Sequence, residues 1–225
     1  MKQGHLALMF LILYMGCFST LIMEQHKYDR VLREKQRLEE ALLDAIEIAG
    51  KEFVTVLTAS EEEKKRVFSE TFLEALQWYL GASEEMTQQN ITRFCVPLLI
   101  LAEEDGVSFC YLQEAWNGEQ SEIYHVWSEK ESYEFSYGIE EKQKKAAVAD
   151  YLERKASEYI TYHNRIASQY GISYHYFTPD FIQNTSTELH FPMLFIVFQG
   201  WPLSASNQVF YENCIDAGAF LQRVY

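Results

Sequence analysis

No proline and no glycine stands at the join between residues 6–23, LALMFLILYMGCFSTLIM, and the stretch that follows, EQHKYDRVLREKQRLEEALLDAIEIAGKEF. Nothing there compels the chain to break, so the two halves are read as one helix. There is no C-x-x-C among the four cysteines, which leaves a zinc site or a thioredoxin-like motif without support. G-x-S-x-G, H-E-x-x-H, a P-loop and G-x-G-x-x-G are all missing. No catalytic, cofactor-binding or metal-binding residue is assigned. Basic charge is also scarce, with 19 Lys and Arg against 33 Asp and Glu, for a net charge of −14. The one basic cluster, Lys27 to Arg37, is interleaved with Glu24, Asp29 and Glu34. Phosphate binding needs clustered cations, so nucleic acid is not an expected partner.

What is present is an apolar opening followed by a folded remainder. The 18 uncharged residues at 6–23 reach the length of a membrane span. Leu, Ile and Phe each favour insertion by about 0.3–0.6 kcal/mol at a helix centre, and no charge opposes them. No Ala-x-Ala follows the apolar core, so a retained anchor is preferred to a cleaved signal peptide. Lipidation at Cys17, after Met15-Gly16, is the alternative. Tyr14 and the apolar residues after Cys17 fit it poorly.

Beyond the span, Tyr28, Val31, Leu32, Leu38, Leu42, Ala45, Ile46, Ala49 and Phe53 recur at three- and four-residue spacing, the stripe of an amphipathic helix. One helix from residue 6 to about 57 would be about 78 Å long. Five Lys and Arg follow the span within 15 residues and one Lys precedes it. By itself that asymmetry keeps the C-terminal side in the cytoplasm.

The organisation expected is 1–23 anchor, 24–57 juxtamembrane amphipathic helix and 58–225 soluble domain. Ser60 to Glu63 is a capping box opening a helix on Val67, Phe68, Phe72, Leu73, Leu76, Tyr79 and Leu80, closed by Gly81. Residues 96–102 form a continuous apolar run, a strand buried on both faces. Asp105-Gly106 is read as a hairpin turn, which sets Cys110 opposite Leu101 and away from Cys95. Strands are expected at 123–127, 133–137, 172–177 and 191–201, the last as a central strand, with a helix at 140–170 ended by Gly171. Residues 214–225 are left unassigned. Helices and hairpins segregate along the chain, so the fold class is α+β: a long N-terminal helix and further helices cover one face of a single, mainly antiparallel sheet. Cys95, Cys110 and Cys214 are expected to be reduced and buried.

His163, His175 and His190 stand at a spacing that fits no metal-ligand pattern with Asp180, and are read as surface or core histidines. Tyr174, Tyr176 and Phe177 are read as core. The triplets at Asn90 and Asn184 match the glycosylation signal at near-chance frequency.

Lys2-Gln-Gly4-His5, then an apolar helix running on into EEALLDAIEIA at 39–49, resembles pilin-like proteins. The likeness is nearest to the minor, pseudopilin-type components of type IV and Tad pilus systems. It covers about the first fifty residues. It implies a leader cut at Gly4 and an apolar half-helix packed in membrane or fibre. It also implies an amphipathic half lying on a small antiparallel sheet, an extracytoplasmic domain, and other pilin-like or membrane assembly proteins as partners. Where many members carry Glu at the fifth position after the cut, this chain has Met9. The resemblance implies an assembly protein without chemistry of its own. An anchored ligand-binding sensor or adaptor domain is the other reading.

Overall fold

A computed structural model describes residues 2–55, 59–80, 95–116, 118, 121–133, 140–171, 175–178, 192–202, 214–215 and 218–223. The join is unbroken: α1 is one helix, Lys2–Thr55, of 54 residues, about 81 Å long at the standard rise. Leu8 to Met15, Phe18 and Leu21 to Met23 are all exposed, Tyr14 at 70%. Further along, Leu38, Ala41, Leu42, Ala45, Ile46 and Ala49 are buried. The stripe docks later than its periodicity suggests. Tyr28 and Leu32 lie on its line yet stay exposed, because no other part of the described core reaches them.

The second helix, α2 (Glu61–Tyr79), starts at Ser60, whose Oγ accepts the Glu63 amide. Only half of the capping box forms, since the Glu63 carboxylate binds Arg66 instead of turning back. Phe53 meets Phe68 edge-on and Arg37 donates to the Leu80 carbonyl at 3.1 Å, so α2 runs back along α1. That guanidinium satisfies a carbonyl left open at the end of α2. Gly81 lies outside the described residues.

Among the described residues, eight strands follow α1 and α2: β1 (Leu98–Ala102), β2 (Gly106–Trp116), β3 (Ser121–Trp127), β4 (Glu131–Ser132), β5 (Met193–Phe198), β6 (Trp201–Pro202), β7 (Cys214–Ile215) and β8 (Gly218–Arg223). Another helix, α3 (Glu141–Gln169), is inserted between β4 and β5. The main sheet runs β3-β2-β1-β5-β8 and every pairing in it is antiparallel, with β4 beside the start of β2. β6 and β7 form a separate two-stranded ribbon. The fold is therefore α+β, with a long N-terminal helix, further helices and one antiparallel sheet. The centre of the sheet is β1, with β5 beside it.

The helices cover both faces of the sheet, not one. Leu99, Leu101, Leu194, Ile196 and Phe198 join α1 and α2 in one core. Leu98, Ile100, Ala102, Met193, Phe195 and Val197 point the other way and pack with Val148, Leu152, Ala156 and Ile160 of α3. Alternate residues of a strand face opposite sides, and in β1 and β5 both sides are apolar, so each needs a cover.

Two further expectations are corrected. In the β1–β2 hairpin Ala102 pairs with Val107 and the Glu103 amide donates to the Gly106 carbonyl at 2.8 Å, so Glu104 and Asp105 make the turn. Cys110 consequently stands opposite Leu99 rather than Leu101. Gly106 has another role: a Cβ there would sit 2.6 Å from the backbone oxygen of Glu131 in β4. Gly106→Ala is expected to cost about 1–3 kcal/mol through that overlap, read as a lower urea midpoint at unchanged slope.

Of the strand expected at 133–137 only Tyr133 is described, and it follows β4, which ends at Ser132; residues 134–137 lie outside the described part. Residues 175–178 do not form a strand. Asn164 of α3 pairs through its side-chain amide with both backbone groups of Tyr176, and Gln199 does the same for Phe177. Those amides supply the hydrogen bonds that a neighbouring strand would have offered.

Candidate functional site

Gly4 lies in the first turns of α1, and Cys17 is exposed on the same helix. His163 is buried in α3 beside Tyr176, whereas His175 is exposed. His190, Asp180, Asn90 and Asn184 lie outside the described residues, as does the side chain of Cys214. Among the described residues no three His, Cys, Asp or Glu gather where an ion would fit. Cys95 and Cys110 are buried in the core of the α1–α2 face, and burial pushes the Cys110 thiol far above its ordinary pKa.

One concavity is a feature that the sequence reading missed. It is a groove of about 1070 Å³ between α2 and the outer edge of β3, walled by Lys65, Ser69, Leu73 and Gln77 on the helix and by residues 123–130 on the strand side. Two contacts set its geometry. The Trp127 indole donates to Ser69 Oγ at 3.1 Å, and the Lys65 ammonium donates to Ser108 Oγ at 2.6 Å. Helix and strand thus run in opposite senses, with the start of α2 beside the end of β3. One turn of helix and two residues of strand each advance about 6 Å, so the two walls stay in step.

Lys65 is 6% exposed and Ser108 fully buried. Burial lowers the Lys65 pKa, against the opposing pull of Glu61 and Glu103. An amine on a serine hydroxyl is also the contact of a Ser–Lys nucleophile pair. Here the hydroxyl is sealed from solvent, and the bond ties helix to sheet. On the same face of β3 as Trp127, His125 donates through Nε2 to the Val96 carbonyl at 2.9 Å; burial lowers its pKa, only partly offset by that bond.

A second polar cluster joins β4 to α3. Tyr151 donates to Glu131 Oε2 at 2.5 Å, Lys155 reaches the same oxygen at 2.9 Å, and Tyr159 donates to Oε1 at 3.4 Å. Burial alone would raise the Glu131 pKa, but the Tyr151 and Lys155 hydrogen bonds bring it below the usual range. Burial and the Glu131 carboxylate push the Tyr151 hydroxyl up to about 12. This cluster is internally satisfied, so its chemistry is that of a joint.

No family model matches the chain, and neither a curated protein nor a solved structure shows significant similarity to it.

Proposed function

We propose that this chain is a membrane-anchored assembly protein of pilin-like construction: an apolar stem joined rigidly to an extracytoplasmic α+β domain, without catalytic chemistry of its own. One observation carries the reading. A single helix holds an exposed apolar half, long enough to cross a membrane, and a second half whose Leu38–Ala49 side is built into the domain core. Exposing that first half to water is costly, at about 25 cal/mol per Å² of apolar surface, and lipid or an apolar partner removes the cost. Because the helix is unbroken, a force or constraint on the stem reaches the domain directly. The groove beside β3 favours a second reading, an anchored sensor or adaptor domain, for which ligand-dependent thermal stabilisation is the mark.

The test is retention of the full-length chain in the membrane pellet after high-salt and alkaline washes, with release by detergent. Leu13→Arg should weaken retention strongly, since a centrally placed Arg costs about 2.5–3.5 kcal/mol of insertion. A chain that stays soluble without detergent overturns the proposal. Mass spectrometry of the mature N-terminus separates cleavage at Gly4, lipidation at Cys17 and an intact Met1. Copurification with other pilin-like proteins tests the assembly role, and protease accessibility from outside tests the orientation against the Lys and Arg asymmetry.

A further inference from the structure

The sheet ends at β3, and among the described residues β3 pairs with β2 alone. In that ladder the Ser128 amide donates to the Phe109 carbonyl at 2.7 Å, which puts the even-numbered backbone groups of β3 toward β2. Antiparallel pairs alternate, so the N–H and C=O groups of Ile123, His125 and Trp127 point away from β2, along the edge that the groove follows. Exposed edges are usually blunted by Pro, Lys, a bulge or a covering element. β3 reads SEIYHVW, with no Pro, no Lys and an unbroken register of seven residues. In place of a cover it has an open groove whose far wall, α2, stays in step with it over its length.

The charges in the groove choose between occupants. Arg66 is neutralised by Glu63 and Glu70, and Lys130 by Glu103 and Asp105. Lys65, whose ammonium is turned inward onto Ser108 Oγ, offsets part of the charge of Glu61 and Glu62, but Glu61, Glu62 and Glu129 make no direct ion pair among the described residues, and all three lie at the end where α2 begins and β3 has finished. The opposite end is lined by Gln77, Ile123 and Tyr124, with Leu73 one helix turn nearer the middle.

We infer that the open edge of β3 receives an extended peptide segment of another protein by strand addition. That segment is β-branched or apolar along its length and carries Lys or Arg at the end beside Glu61, Glu62 and Glu129. Backbone hydrogen bonds to Ile123, His125 and Trp127 supply affinity, and the acidic end and Leu73 set direction and preference. The inference rests on the groove alone, so a soluble result in the fractionation above leaves it standing.

The experiment is hydrogen exchange on the full-length chain in detergent, with the synthetic peptide acetyl-Thr-Val-Thr-Val-Thr-Lys-Lys-amide as probe. The amides of Ile123, His125 and Trp127 should exchange about tenfold more slowly, in proportion to occupancy, while those of β1, already paired, should not change. N-methylating alternate residues of the peptide should abolish protection in one of the two alternate sets and spare it in the other, since only one edge of an added strand faces β3. The double variant Glu62→Lys/Glu129→Lys, checked for native circular dichroism, should reverse the preference between this peptide and one ending in Glu-Glu. Three results would each overturn the proposal: no protection at saturating peptide, equal loss with both methylated sets, or protection of the same amides by self-association without peptide, which would make the occupant a second copy.

Discussion

Leu42→Ala should destabilise the domain by about 2–5 kcal/mol, whereas Leu43→Ala, one residue along, should change stability by no more than about 0.5 kcal/mol. Leu42 has no exposed surface and sits among α1, α2 and the sheet; Leu43 is 46% exposed. The two residues have the same side chain and the same helix propensity, so the difference isolates packing. The larger loss combines lost transfer energy with a cavity that α2 can only partly close. Its scale matters because whole domains are held by only about 5–15 kcal/mol. Urea unfolding in one detergent, followed by the far-ultraviolet signal, checks it. Equal effects at the two positions would mean that the second half of α1 does not belong to the core. The stem would then be tethered to the domain instead of built into it.

That dependence of domain on stem was partly legible in the sequence. The spacing of Leu38, Leu42, Ala45, Ile46 and Ala49 marks one buried face, and these residues are buried. The continuous apolar runs of β1 and β5 also carry the information that both sheet faces are covered. An order of elements along the chain suggests one covered face. The periodicity of the strands themselves is the better guide, because a strand facing water on one side alternates and these do not.

Other features depend on contacts between distant residues, and no local pattern contains them. Tyr174 and Tyr176 alternate like a strand, yet side-chain amides of Asn164 and Gln199 take up the backbone bonds of Tyr176 and Phe177. Asp105-Gly106 resembles a turn dipeptide, yet the glycine is needed where β4 crosses close by. The groove requires both the register of β3 on β2 and the Lys65–Ser108 bond, which spans 43 residues. The spacing of Glu61, Lys65 and Ser69 does place them on one face of α2. Which strand they meet is decided only by the sheet order.

His163 gives the second large effect, on the opposite face of the sheet. Its ring is 1% exposed, edge-on to Tyr176 with centroids 4.5 Å apart, and neither ring nitrogen has a hydrogen-bond partner among the described residues. Burial, and secondarily the charge His125 would carry, depress its pKa to about 3. Unfolded, the imidazole titrates near about 6.5. Above that pH it is neutral in both states and costs nothing electrostatically. Below it the unfolded chain takes up a proton that the folded chain refuses, so stability falls as pH falls, by about 1.4 kcal/mol per unit down to about pH 3. Between pH 7 and pH 5 the loss comes to about 2 kcal/mol from this residue, and His125, also depressed, acts in the same direction. His163→Leu removes the titration together with two unpaired polar atoms. It should match or exceed the parent at pH 7 and exceed it by about 2 kcal/mol more at pH 5. Urea titrations of both chains at the two pH values measure that gap. A gap that stays constant would mean that the imidazole is hydrated or hydrogen-bonded in the folded protein, and that the acid sensitivity of the fold lies elsewhere.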